Sequence, residues 1–403
     1  MYIIHLGSSN FPKGNAAMQR IRFTYRALKE AGYSTLVIVK ESNYKKGEQR
    51  RIGHLENIPY IATSYQLYRA GTKVTRKLNN LTGLIGEFIL LVKKRRQIDA
   101  AILYNVSSII ELIYYRIISK MLGFKLAFQY VEYRSSFQGS SLYRRTNDKL
   151  FDKYCSRFAD GAIVISEFLR NVIKKQNSTL PLVKVPVICD FKEFDAIETT
   201  PPGYKYFLYC GSTEYVPVVK FVIELFEATK KAGIYDGRLV CVIGINNEDN
   251  ANTIRNRIKS SPYADEIIMQ SGLSYADLVR RYKSADLLLI PLRNSIQDTA
   301  RFPHKISEYT ASRRPFISTD FGELKYYFKN GESAILANDY TVSAYLEKLE
   351  QVLPKQGLLD EIGYNGYQTG MAHFHYQANA GELKKFFELL RMKEKVTAKL
   401  AAT

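Results

Sequence analysis

The sequence predicts an α/β protein: two Rossmann-like, doubly wound domains in tandem, facing each other across a cleft. Three observations carry this reading. The chain has 403 residues, too many for one ordinary core. Short apolar runs alternate with helical patterns along nearly all of it. The alternation breaks once, at residues 190–203, where DFKEFDAIETTPPG is acidic and polar and ends in Pro-Pro-Gly, the composition of an interdomain linker. The reading therefore places a first domain at 1–197, a second at 203–375, and a final helix and tail at 376–403.

The elements follow in order. YIIHL is a short apolar strand, and GSSNFPKGNAA is a loop with two glycines. MQRIRFTYRALKEAG then sets Met18, Ile21, Tyr25 and Leu28 on one helical face and stops at Gly32. TLVIV (35–39) is a continuous apolar run, as expected of a parallel strand covered on both faces. AAILY (100–104), a helix over 108–121, KLAFQYV (125–131), GAIVIS (161–166) with a helix from Glu167, and LPLVKVPV (180–187) complete the first half. After the break the rhythm restarts with YFLYCG (206–211), a helix near 217–232, RLVCVIG (238–244) and a helix near 250–260. EIIMQSG (266–272), a helix over 274–283, ADLLLIPL (285–292), a helix after 302, PFIST (315–319) and a last helical region end the chain. In such sheets ligands lie outside the carboxyl ends of the strands.

Composition narrows the class. At 46% apolar and 24% charged, the chain is globular, neither collagen-like nor disordered. Cys155, Cys189, Cys210 and Cys241 are widely spaced beside apolar runs, without a C-x-x-C, and read as reduced core thiols of a cytosolic protein. MYIIHLGSSN lacks the basic start and cleavage pattern of a signal peptide. Residues 81–92 are too short to span a bilayer and carry Glu87. Residues 100–130 are interrupted by Glu111, Arg116, Lys120 and Lys125.

The net charge of +19 is unevenly spread. Residues 1–200 hold 32 Lys+Arg and 16 Asp+Glu, a balance of +16; the remainder holds 26 and 23, a balance of +3. An anionic partner therefore meets the first half, and charge alone leaves nucleic acid, membrane and polyanionic substrate open. No nucleic-acid motif is present. Cations crowd 65–97, interleaved with apolar residues, a pattern of one or two amphipathic helices suited to an anionic membrane face or to an ordinary solvated surface.

One stretch, FPHKISEY (302–309), joins a proline, a cation and a carboxylate at the start of a helical pattern. Pro303 fits a first helical turn, and Glu308 falls about one and a half turns in. Either this is a capped helix with a solvated Glu, or the helix N-terminus and Lys305 hold phosphate while Glu308 accepts ribose hydroxyls.

From YFLYCG onward, through KFVIELFEA, SGLSYADLVRRYKSADLLLIPL, FPHKISEYTASRRPFIST and NGESAIL, the second half resembles the nucleotide-sugar-binding domain of GT-B glycosyltransferases, specifically retaining family 4. FPKGNAAMQRI, FADGAIVISEFL and KVPVICDFKEF extend the likeness into the first half. The resemblance implies a retaining sugar transfer from a nucleoside-diphosphate donor, and a C-terminal helix crossing back to the first domain. It implies donor contacts at Gly211, Ser212, Lys220, Gly272, Leu273, Arg293, Asp298, Lys305, Ile306 and Glu308, and contacts at Gly14 and Asn15 of the first loop. Lys220 falls where the family has a diphosphate-binding lysine, though a surface lysine on an amphipathic helix has the same pattern.

Two departures are visible. Gly211 is followed by Ser212 and Thr213, without the arginine the family places there. Ala300 occupies the place of the first glutamate of the E-x7-E motif, whose second member is Glu308; Asp298 is the nearest upstream carboxylate. In the first half, Glu132 follows KLAFQYV where the family often carries a histidine or acidic residue. It is a candidate base for the acceptor hydroxyl, or else a salt-bridge partner of Arg134. His373 and His375 lie in a segment resembling the family's terminal one and read as structural. With Lys220 and Lys305 facing the leaving diphosphate and no D-x-D motif, the expectation is no metal and no cofactor. The expected partners are a nucleotide sugar, a lipid-linked glycan acceptor and the inner face of an anionic membrane. A nucleotide-sugar epimerase of the same architecture and a catalytically silent nucleotide-binding protein are the alternatives.

Overall fold

The computed structural model describes residues 1–8, 11–12, 16–40, 50–68, 71–104, 106, 108–137, 141–200 and 202–400. Two compact units emerge: Met1–Ile188 with Tyr376–Thr403, and Cys189–His375.

In the first unit β1 (Tyr2–Ser8), β2 (Ser34–Val39), β3 (Ile52–Leu55), β4 (Ile58–Ala62), β5 (Ala100–Leu103), β6 (Lys125–Tyr130), β7 (Gly161–Val164) and β8 (Leu182–Lys184) form one sheet. Its order is β3-β4-β2-β1-β5-β6-β7-β8. Only the β3–β4 pair is antiparallel. Strands β5 and β7 are buried at every residue, which is why their sequence shows apolar runs without alternation. The β3–β4 hairpin is not anticipated above. Its turn is set by Glu56 in a left-handed conformation, without the Asn-Gly or Asp-Gly signal such turns usually carry.

The terminal helix Ala380–Leu400 belongs to this first unit. Tyr33 donates to the Lys384 carbonyl at 3.2 Å and meets Phe387 edge-on. Phe386 lies so close to Gly161 that a Cβ there would fall 2.8 Å from its ring.

The second unit is a six-stranded, wholly parallel sheet of β9 (Tyr206–Ser212), β10 (Arg238–Gly244), β11 (Ile267–Gln270), β12 (Leu287–Leu289), β13 (Phe316–Thr319) and β14 (Ile335–Ala337). The order is β11-β10-β9-β12-β13-β14. Helix Val216–Lys231 covers one face, burying Val219, Val222, Ile223, Leu225 and Phe226 completely.

The predicted linker at 190–203 is in part a folded element of this unit. Residues Phe191–Ala196 form a helix capped by Asp190 and buried through Phe191 and Phe194. Lys283 donates to the Phe194 and Ile197 carbonyls, and Asp195 pairs with Arg313. Of the acidic residues that looked like linker composition, Asp190 is the buried cap and Asp195 is exposed and paired with Arg313.

The basic segment 65–97 contains a single long helix, Lys73–Lys94, started by a capping box between Thr72 and Thr75. Its buried stripe is Asn79, Gly83, Glu87 and Leu91. A Cβ on Gly83 would lie 2.0 Å from the Lys40 carbonyl oxygen, and one on Gly86 2.5 Å from that of Thr63, so the two glycines let the helix backbone reach the strand-end loops. Val74, Leu78, Leu81, Ile85 and Ile89 point the other way and are 48–67% exposed. Among the described residues, no helix is long and apolar enough to cross a membrane.

Glu87 on that buried stripe accepts from the Tyr115 hydroxyl at 2.8 Å. Burial raises its pKa from 4.5 to about 7, against the pull of Tyr115 and Lys40. A carboxyl raised in the folded state contributes stability that is complete below the unfolded value and is lost as pH rises through the folded one. Glu87→Gln is therefore expected to match the wild type in urea denaturation below about pH 4.5 and to exceed it at pH 8, by up to roughly 3 kcal/mol.

Candidate functional site

The strand order of the second unit reverses between β9 and β12, and the crevice outside their carboxyl ends is the natural ligand position in such a sheet. Two segments converge on it. One is the turn after β9, where Ser212 caps Thr213–Tyr215 by accepting from the Glu214 amide. The other runs from the end of β12 to the helix Lys305–Ala311. At Gly211 a Cβ would fall 2.3–2.6 Å from the Tyr209 ring and hydroxyl on the same face of the strand, so a larger residue there would displace that ring. Thr213 is fully buried and ties the turn to the end of β10, its hydroxyl accepting from the Asn246 and Asn247 amides.

A polar group surrounds Glu308, which is 5% exposed. Its Oε2 accepts from the Tyr282 hydroxyl at 3.1 Å, and Oε1 lies 3.6 Å from His304 Nε2. Tyr309, the next residue, accepts from the Cys210 amide at 3.3 Å and donates to the Leu289 carbonyl at 3.4 Å, so it spans the ends of β9 and β12. Burial pushes the Tyr282 and Tyr309 phenols well above their usual range, which keeps both as donors. Lys305 stands close to Cys210, Glu308 and Tyr215. Burial opposes its charge, but these neighbours outweigh that and hold its pKa above the usual lysine range.

A second group is centred on Asp298, 1% exposed. One carboxylate oxygen accepts from the backbone N–H and Nε of Arg293 at 2.9 and 3.0 Å, and the other pairs with Arg301 at 2.5 Å. Arg301 also donates to the Tyr215 hydroxyl at 2.7 Å, bridging the two converging segments.

The positions named from sequence fall into separate places. Glu308, Lys305, Arg293 and Asp298 come together on the segment after β12, and Gly211 and Ser212 lie at the facing end of β9. Lys220 is exposed on the outer face of helix Val216–Lys231. Gly272, with φ of +71°, and Leu273 form the turn into helix Tyr275–Ser284. Ile306 is fully buried and its side chain is core. Gly14 and Asn15 lie outside the described residues. Glu132 is exposed just beyond β6 in the first unit. Arg134, its suggested partner, donates to the Val106 carbonyl and lies 3.7 Å from the Phe151 ring centroid. His375 is structural: 4% exposed, it accepts the Phe191 amide at 3.3 Å.

The FPHKISEY helix is shorter than expected. It begins at Lys305, leaving Pro303 outside and Glu308 in the first turn. The Ile306 and Ser307 amides are used by the Pro303 and His304 carbonyls in a tight turn. Seven residues with these amides satisfied make a weak anion site, so positive charge here comes from side chains. Sequence reasoning missed Tyr282, Tyr215 and the bridging role of Arg301. The first carried a signal in its i, i+3 spacing from Val279, the other buried residue of its helix. Among the described residues, no group of three or more His, Cys, Asp or Glu is placed to hold a metal.

Residues 190–369 match the family model described as glycosyl transferases group 1. Sucrose-phosphate synthase (tll1590) from Thermosynechococcus elongatus is similar in structure over 100% of both chains, with a TM-score of 0.70 at 14% identity. Anabaena Alr3699/HepE in complex with UDP-glucose matches over 97% of this chain and 100% of its own, with a TM-score of 0.70 at 13% identity. The catalytic domain of starch synthase IV from Arabidopsis thaliana, bound to ADP and acarbose, matches over 96% and 99%, with a TM-score of 0.67 at 12% identity. No curated protein matches the chain. The architecture is the GT-B fold.

Tyr282→Phe removes the hydroxyl that Glu308 accepts from while keeping the ring. A buried hydrogen bond to a charged group contributes about 1.5–3 kcal/mol. The variant is expected to lower the urea midpoint by that amount of stability with an unchanged slope.

Proposed function

As the second unit is a glycosyl transferases group 1 domain, we propose that the protein transfers a sugar, with retention, from a nucleoside-diphosphate sugar to a lipid-linked glycan acceptor, in the synthesis of a bacterial surface polysaccharide. The observation that carries the donor half is the placement of Glu308 and Lys305, within the matched domain, beside Cys210 at the carboxyl end of β9. Glu308 is the acceptor-only group for ribose hydroxyls, and Lys305 a cation for the departing diphosphate. A GT-B structure solved with UDP-glucose supports a donor of this kind. Side-chain cations take the role a metal has elsewhere, so transfer needs neither metal nor cofactor. Glu132 serves as acceptor-side base. Ala300, fully buried where the resemblance places a carboxylate, favours a second reading: nucleotide binding without transfer.

The acceptor half rests on the first unit. Helix Lys73–Lys94 turns five apolar side chains to solvent, with Lys73, Lys77, Lys93, Arg95 and Arg96 exposed on it or just beyond its end. On the neighbouring helix Ile109–Leu122, Ile110, Ile117 and Met121 are also 55–67% exposed. An apolar stripe flanked by cations suits the headgroup region of an anionic leaflet, where each cation near the surface adds about 1 kcal/mol. On this reading the protein sits peripherally on the cytoplasmic face of the membrane.

For the donor, a thermal-shift titration with UDP, GDP, ADP and CMP should show one nucleoside diphosphate stabilising the wild type by roughly 2.7 kcal/mol at about 100 times its dissociation constant. Glu308→Ala should lose that response, and sugar transfer should persist in EDTA; binding without transfer selects the silent reading, and manganese-restored activity refutes metal independence.

For the surface, co-sedimentation should show binding to phosphatidylglycerol vesicles, weaker at high salt, and loss of binding in Leu81→Glu/Ile85→Glu. Indifference to anionic vesicles at physiological salt sinks the membrane assignment, and self-association abolished by the same variant assigns the stripe to a second copy.

A further inference from the structure

Two guanidiniums in the second unit share one carboxylate. Asp298 is almost wholly buried and pairs with both Arg293 and Arg301. Arg293 turns back on its own segment, to Asp298 and to Gln297 at 3.3 Å. Arg301 reaches across. Its hydroxyl partner Tyr215 comes from the turn after β9, its carboxylate partner Asp298 from the segment after β12, and its guanidinium carbon lies 4.9 Å from the Tyr215 ring centroid. Partners on two different loops fix the plane of this guanidinium at the crevice where the sheet reverses order. Its side chain remains 18% exposed.

Lys305 stands near the same tyrosine, which adds to the forces on its charge. The short helix after Pro303 spends the Ile306 and Ser307 amides on itself. An anion entering this crevice is therefore held by preorganised side chains, and a planar, forked guanidinium matches adjacent phosphate oxygens better than a point charge. We infer that Arg301, oriented by Tyr215 and Asp298, is a binding residue for the diphosphate of the donor. The guanidinium missing after Gly211 is thus supplied from the other side of the crevice. The inference rests on the donor-binding reading above and names a residue of that same site.

The test is calorimetric titration of the full chain with UDP, GDP and ADP, and with the matching nucleosides. Arg301→Gln is expected to weaken binding of the stabilising diphosphate about 10- to 100-fold, the loss of charge-assisted hydrogen bonds. Binding of the nucleoside is expected to be unchanged, and Arg301→Lys should recover part of the diphosphate affinity. Since Arg301→Gln strips a buried carboxylate of one partner, Asp298→Asn/Arg301→Gln removes charge and counter-charge together and keeps the test valid should the single variant unfold. Undiminished diphosphate affinity in these variants overturns the role of Arg301 alone, as does an equal loss toward the nucleoside. Failure of the wild type to bind any of the three diphosphates overturns the donor reading and the role of Arg301 together.

Discussion

Parallel pairing is the constraint on which the rest of the second unit depends. Parallel strands need a crossover between each pair, so every strand starts at one edge of the sheet and ends at the other. All six strands here run the same way, and β9 and β12 are neighbours although two strands and their helices separate them in sequence. That adjacency is what brings residues 211–215 beside residues 290–305. Cys210 and Glu308, Tyr215 and Arg301 are far apart in the chain and become neighbours only because the sheet reverses its order between these two strands. Tyr309 joins both strand ends through one hydroxyl, and Glu308 beside it shares that seat.

Much of this was legible before any coordinates. The parallel strands announce themselves as apolar runs because both faces are covered, and Gly32 or Ser274 mark helix ends by well-understood local chemistry. Glu308 and Lys305 were visible through spacing and resemblance. What stayed hidden depends on tertiary partners. Asp298 was named from sequence as the carboxylate nearest the motif, but that Arg293 and Arg301 share it is visible only in the structure. Ile306 looks like a ligand neighbour and is core. The 190–203 segment is acidic, yet Phe191 and Phe194, one helical turn apart, seat part of it in the second unit. The β3–β4 hairpin lacked a turn signature, since its tight corner is made by Glu56.

Helix Lys73–Lys94 inverts the usual amphipathic logic. Its inward face carries an amide, a glycine, a carboxyl and a single leucine, and its outward face carries the aliphatic side chains. A hydrophobic-moment argument alone would turn it the other way. What holds it is close backbone approach: glycine at 83 and 86, and the Thr63 hydroxyl donating to the Gly83 carbonyl at 2.9 Å. Such seating gives little of the stabilisation that burying the five aliphatic side chains would. The aliphatic side chains are left facing solvent.

The terminal helix has a topological consequence. Because Tyr376–Thr403 returns to the first unit, the second unit is an insertion, entered at Cys189 and left at His375. These two residues form a bridge, the Cys189 amide donating to the Phe374 carbonyl at 3.0 Å, so the entry and exit strands run side by side. A protease that severs the first crossing gives the fragments 1–188 and 189–403, held together only by the packing of the terminal segment within the first unit. Conversely, residues 189–375 have both ends at one point, the arrangement from which a module is most simply excised or transplanted into another host chain.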